Sequence, residues 1–143
     1  MSVMLLLAAL VCGAAGAAQP KSLTLMDFEL IDDMRDFASE QARSEVDRRL
    51  VLISTELAKE LERRGMYRVL DGDKAAGAER IARCWVQKVS NLILNINIEV
   101  RSVATEETVY AASVDIRGNT DETWLRGVRR LVDNIQERNH HLR

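Results

Sequence analysis

Five carboxylates crowd into ten residues near the start of the chain: Asp27, Glu29, Asp32, Asp33 and Asp36. Carboxylates at that density can hold a hard cation such as calcium, but their spacing matches no calcium-binding loop. A solvated acidic loop accounts for them. His140 and His141 stand together in a polar tail with no further ligand nearby, so they define no metal site. With both histidines there, no Ser-His-Asp arrangement can be built, and no glycine-rich phosphate loop is present. The chain therefore reads as non-enzymatic, with no cofactor and no metal. What remains is a set of polar residues without a folding reason to be where they are: Lys88, Asn95, Asn97 and Arg117. Asn is a poor strand former, yet two of them sit in the most regular strand pattern of the chain. These four are the expected partner-binding residues.

The elements that position them follow from periodicity. Residues 22–30 alternate as a short strand, with Thr24, Met26, Phe28 and Leu30 on one face. The stretch 31–43 is polar, acid-rich and aperiodic, a loop with room for a helical turn. A helix is expected from Ser44 as N-cap, carrying the stripe Val46, Leu50, Ile53, Leu57 and Leu61, with Gly65 as its stop. Residues 66–70 and 80–89 read as further strands. From Leu92 the alternation is strict: Leu92, Leu94, Ile96, Ile98 and Val100 inward, Ile93, Asn95, Asn97, Glu99 and Arg101 outward. A turn at 104–107 brings back Tyr110, Ala112, Val114 and Ile116, which makes an antiparallel hairpin. The last helix starts at Asn119 or Thr120; Asn119 with Glu122 has the spacing of a capping box, and Asp121 suits the positive end of the dipole. Its stripe is Trp124, Leu125, Val128, Leu131, Val132 and Ile135. The fold class is α/β, a two-layer sandwich. A mixed sheet of about five strands ends in the hairpin and carries two main helices on one face.

Composition bounds the rest. Residues 1–18 are uncharged and apolar or small, with Ala14-Ala15-Gly16-Ala17-Ala18 before Gln19-Pro20, the layout of a cleaved signal peptide. The run is short of the roughly 20 residues that span a bilayer, so no stable membrane insertion is expected after cleavage. The expected organisation is a signal peptide at 1–18, one α/β domain at 19–136 and a frayed tail at 137–143, with the mature protein in the periplasm. Cys84 is then the single cysteine left, in a strand beside Trp85 and Val86, and is expected to be buried. Acidic and basic residues are interspersed at a net charge of -2, which excludes a nucleic-acid surface. The arginine pairs 63–64 and 129–130 fall late in the expected helices, where cations favour the negative end.

The order of elements, the strand ending in Asp27-Phe28, the run Tyr67-Arg68-Val69-Leu70-Asp71 and the turn Gly77-Ala78-Glu79 resemble a group of bacterial envelope domains. That group includes the N-terminal domain of the Tol-system propeller protein, the curli-secretion lipoprotein and the lipoproteins that activate peptidoglycan synthases. More narrowly, residues 85–94 and 117–124 resemble a family of small secreted proteobacterial proteins of unknown function. The resemblance implies the sandwich fold, export and a cell-envelope protein as partner, and brings no catalytic residues. Its alternative is a periplasmic small-ligand or metal-ion carrier. Three departures stand out. The segment after the second strand is shortened to 72–76 and is expected to lose a covering helix. Cys84 replaces a usual glycine. Glu106 replaces a turn glycine, at a cost of about 1 kcal/mol where φ is positive.

Overall fold

The computed structural model describes residues 18–71 and 76–141. The expected signal peptide, except Ala18, lies outside them. The elements run β1 (Ser22–Leu25), β2 (Glu29–Ile31), a 3-10 turn (Arg35–Phe37), α1 (Glu40–Arg63), β3 (Arg68–Leu70), β4 (Arg80–Lys88), β5 (Ile93–Ser102), β6 (Thr108–Arg117) and α2 (Asp121–His141). Six strands form one mixed sheet in the order β3-β1-β4-β5-β6, with β2 also on β4. Both helices pack on the same side, against each other and the sheet. The two-layer α/β sandwich expected from the sequence is the observed fold.

The first strand is two pieces, and the break inverts its faces. Leu25 sits opposite Ala82 and Glu29 opposite Trp85, so four steps along one strand match three along the other. That single extra residue is a bulge, and one residue of slip turns every side chain over. Leu23 is therefore fully buried, while Met26, expected inside, is exposed. Beyond the break Phe28 is buried and Leu30 packs against the core, as read.

β5 and β6 alternate cleanly because one face is covered and the other is not. Leu94, Ile96, Ile98 and Val100 meet Ala112, Val114 and Ile116 in the core. Leu92 is the exception: it lies in the turn before β5 and is 75% exposed. Glu106 takes φ 59, the left-handed turn position where the resemblance has glycine. Arg101 Nη2 donates to the Glu106 carbonyl at 2.6 Å and holds that turn.

α1 begins five residues earlier than the stripe implied, with Ser39 rather than Ser44 before its first residue. Ser39 Oγ, not Ser44, accepts from Ala42 N–H at 3.2 Å and caps it. The first turn, Glu40 to Arg43, holds no large apolar residue and none of it is in the core, so periodicity could not reveal it. From Val46 the stripe is as read, with Ile53, Leu57 and Leu61 fully buried. α2 buries Trp124, Val128, Leu131, Val132 and Ile135. Its backbone stays helical through His141 rather than fraying from residue 137, and Arg138 Nη1 ties it down by donating to the Ala111 carbonyl. Residues 72–75, the core of the shortened segment, lie outside the described residues; after them Glu79 binds β1, its carboxylate accepting from Ser22 N–H at 3.1 Å and its N–H donating to Ser22 Oγ at 3.0 Å.

Gly127 marks where α2 comes closest to the sheet. A Cβ there would lie 2.5 Å from Ile116 Cγ2 and 2.9 Å from Ile96 Cδ1. Gly127→Ala should therefore cost about 1–3 kcal/mol through overpacking, although Ala is the better helix former by up to about 1 kcal/mol. Urea denaturation reads the sign directly. A stabilised variant would mean the helix can lift without loss.

Candidate functional site

The sheet divides the four expected site residues. Asn95 lies opposite Gln87 and Asp115, Asn97 opposite Trp85 and Ser113, and Arg117 opposite Ile93, all on the uncovered face. Lys88 continues the set Ala82, Cys84 and Val86, which faces the helices. It leaves the core side at the end of β4, where its Nζ is 3.6 Å from Asp32 Oδ2. The parity of Lys88 with those buried residues was available in the sequence and separates it from the other three.

The open face is ordered by its own polar groups. Asn95 Nδ2 donates to Asp115 Oδ1 at 2.7 Å, and Asn97 Nδ2 donates to the Asn95 carbonyl at 3.1 Å. Asn97 is only 9% exposed although no helix among the described residues packs on its side of the sheet. Beside it, the Arg83 guanidinium sits 5.5 Å over the Trp85 ring and donates to Glu29 at 3.0 Å. An arginine fixed over an indole presents a flat, rigid, amphipathic surface. Arg117 is exposed at the end of this face and has no hydrogen bond or ion pair among the described residues.

The polar phrase 117–124 turns the chain and packs Trp124 into the core as expected, but caps α2 with other residues. Gly118 takes φ 95, which lets the chain turn sharply out of β6. The cap is Thr120 with Thr123: Thr123 N–H donates to Thr120 Oγ1 at 3.3 Å, and Thr120 N–H to Thr123 Oγ1 at 3.1 Å. Asn119 is not the cap. Its Oδ1 accepts from Trp124 Nε1 at 3.1 Å and from Arg49 Nη1 at 3.1 Å. Arg48 Nη2 and Arg49 Nε then share Asp121 Oδ1 at 2.7 and 2.9 Å. Hydrogen bonding from Arg48, then Arg49, holds the Asp121 carboxyl down to about 2. The phrase is thus a clasp between α1 and the start of α2. Sequence reading missed Arg48 and Arg49, whose signal was an arginine pair in mid-helix with no dipole to explain it.

Three of the four arginines in the other two pairs are also held by specific acids. Arg63 and Arg64 both bind Glu60, and Arg129 binds Glu56 at 2.9 Å. The helix-end explanation fails for residues 129 and 130, which lie in the middle of α2.

A cleft of about 130 Å³ opens beside Lys88, floored by Leu30, Leu94, Val46 and Trp124 and rimmed by Asp32 and Asn119. It continues into a wider groove of about 410 Å³ along the first turns of α1. The acidic cluster does not converge on it. Glu29 turns to Arg83, Asp32 to Lys88 and the Met34 N–H, while Asp27, Asp33 and Asp36 point into solvent or flank the loop. Among the described residues no group of three or more His, Cys, Asp or Glu side chains could hold a metal ion. The side chains of His140 and His141 lie outside the described residues. Cys84 is free and buried, as expected, and burial pushes its thiol up, which leaves it unreactive.

Residues 72–135 match the family model DUF3280, described as "Protein of unknown function (DUF2380)". The chain resembles that family over this stretch. No curated protein matches the sequence. Among solved structures, the PelC dodecamer from Paraburkholderia phytofirmans aligns at 11% identity over 81% of this chain and 88% of that one, with a TM-score of 0.55. Lipoprotein GNA1162 from Neisseria meningitidis aligns at 13% identity over 82% of this chain and 97% of its own, with a TM-score of 0.50. TolB from Acinetobacter baumannii aligns at 9% identity over 73% of this chain and 25% of its own, with a TM-score of 0.47. At these identities the likeness is one of fold. Among the described residues no helix is long and apolar enough to cross a membrane.

Proposed function

We propose that the protein is a non-enzymatic periplasmic accessory protein that binds a cell-envelope protein through the open face of its sheet. The observation that supports this best is the ordered platform around Asn97. Trp85 and Arg83 are fixed against each other there, and Asn97 is nearly buried with no helix among the described residues above it. Trp and Arg are the residue types enriched at protein interfaces, and rigid ones lose little entropy on docking. The apolar uncharged start of the chain and the fold shared with a neisserial lipoprotein support an envelope setting.

The test compares proteins captured from envelope extracts by the wild type and by two variants. Asn95→Arg/Asn97→Arg changes the platform itself, and Gln87→Arg changes an exposed neighbour opposite Asn95. Partners retained by the wild type should be lost from both variants at unchanged thermal stability. Identical partner sets would count against this face.

The cleft beside Lys88 favours a second reading, a small-ligand carrier, because an apolar floor with a few polar groups at its mouth is the usual build of such sites. Thermal-shift screening against periplasmic metabolites separates the two, since a true ligand raises the melting temperature by mass action. Lys88→Ala should abolish any such shift. No comparable geometry supports the metal-carrier version.

A further inference from the structure

We infer that the free edge of β6, with the arginines beside it, is a docking site for an extended acidic segment of another polypeptide, added as a further strand. This rests on the reading of the protein as one that binds another protein, and it names a different surface, the sheet's edge rather than its face.

β6 is ten residues long and ends the sheet. Gly118 N–H donates to the Leu92 carbonyl at 3.3 Å. The even-numbered residues of β6 therefore face β5, and Ala111, Ser113, Asp115 and Arg117 turn their N–H and C=O groups outward. The protein meets one of these itself, the Ala111 carbonyl, with Arg138. The remaining groups towards the Arg117 end form an open template for strand addition.

The charge beside that end is one-sided. A groove of about 250 Å³ runs between the edge and α2, lined by Arg117, Arg126, Arg130, Thr123 and Asp115. All three arginines are exposed and make no hydrogen bond or ion pair among the described residues. Asp115 is already bound to Asn95. Most other arginines of the helices are committed: Arg48 and Arg49 to Asp121, Arg63 and Arg64 to Glu60, Arg129 to Glu56. Charges on an edge strand can serve only to discourage aggregation, and Arg117 alone would do that. Arg126 and Arg130 are a like-charged pair four apart on a helix, an arrangement that weakens the helix unless something of opposite sign lies against it.

The geometry selects an extended segment. Four residues of helix advance about 6 Å, and two residues of strand about 6.8 Å. Alternate acidic side chains of an added strand thus step along the groove at nearly the spacing of Arg126 and Arg130. Arg117, on the open face, awaits an acid of the opposite parity. Arg–carboxylate pairing at such sites is bidentate and adds geometric selectivity.

The experiment uses the full chain and a fluorescein-labelled eight-residue peptide of alternating Glu and Val, with a Lys-for-Glu peptide as control, read by fluorescence anisotropy at low and moderate salt. The acidic peptide should bind, weaken with salt, and lose about tenfold or more in affinity to Arg126→Glu/Arg130→Glu. Ser113→Pro should weaken it similarly, because it removes an outward N–H that the fold does not use. Amide exchange supplies a second measurement should that variant misfold: Ser113 and Asp115 N–H should slow when peptide is added to the wild type. No binding, equal binding of the basic peptide, or unchanged exchange at those two amides would overturn the inference. An arginine-dependent interaction that ignores both Ser113→Pro and the amides would overturn it too, since no strand would then be added. Failure of the peptide with capture still sensitive to Gln87→Arg sinks the edge alone, whereas capture insensitive to Gln87→Arg with the peptide bound sinks the face.

Discussion

Trp124→Ala should destabilise the protein by about 3–5 kcal/mol, the range for truncating a buried aromatic to a methyl group. Trp124 is 1% exposed, and its ring fills the space where the first turn of α2 meets the sheet. The loss goes beyond packing. The Trp124 indole N–H shares Asn119 Oδ1 with Arg49, and Arg49 in turn shares Asp121 with Arg48. Removing the indole frees Asn119 and loosens the clasp between the helices at the same moment. Trp124→Phe separates the two effects, since it keeps most of the volume and drops the donor, a loss of about 1 kcal/mol for the hydrogen bond alone. Urea unfolding followed by far-UV circular dichroism measures both. A Trp124→Ala variant as stable as the wild type would mean that α2 does not dock where the structure puts it.

Glu60→Ala is expected to cost about 3 kcal/mol, the lower end of the range for breaking a buried ion pair from one side. The Glu60 carboxylate is buried and accepts from Arg63 Nε and Nη2 and from Arg64 Nε at 2.8–3.1 Å. The lower end applies because Arg64 keeps Asp133 and Gln136 when Glu60 is gone. Hydrogen bonding from Arg63, then Arg64, holds the Glu60 carboxyl down to about 2 in the folded protein. Its folded value lies below the ordinary Glu value of about 4.3. The stabilisation is therefore complete above that value and is lost as pH falls towards about 2. Asp121 adds a contribution of the same sign, being held down in the same way by Arg48 and Arg49. Stability measured from pH 6 down to pH 2 should fall less steeply in Glu60→Gln than in the wild type. Parallel curves would remove Glu60 from the account of acid unfolding.

The parts of this fold that were legible in sequence are those where one face is covered and the other is not. β5 and β6 announced themselves because burial on a single face enforces strict alternation. The stripes of α1 and α2 did so for the same reason. The misreadings fall where that pressure is missing. The first turn of α1 puts no side chain into the core, so its start was invisible. Asn119 with Glu122 and Thr120 with Thr123 both have capping spacing, one residue apart, and only the hydrogen bonds choose between them. The site was legible in part. Asn95, Asn97 and Arg117 do share a face, but Lys88 was grouped with them because its parity was not followed to the end of the strand. The arginines of the β6 groove were harder to see, since Arg117 and Arg130 become neighbours only once α2 folds back along the strand.

The bulge between β1 and β2 marks a residue that the core can do without. Leu23 before it and Leu30 after it both reach the core only because one residue is skipped between them. Deleting Met26 would leave six steps between Leu23 and Leu30, equal to the six between their partners Arg80 and Val86, so the two halves would join as one regular strand with both leucines still facing the core. Substitutions at Met26 and Asp27, which are exposed, should be widely tolerated, and so should deletion of Met26.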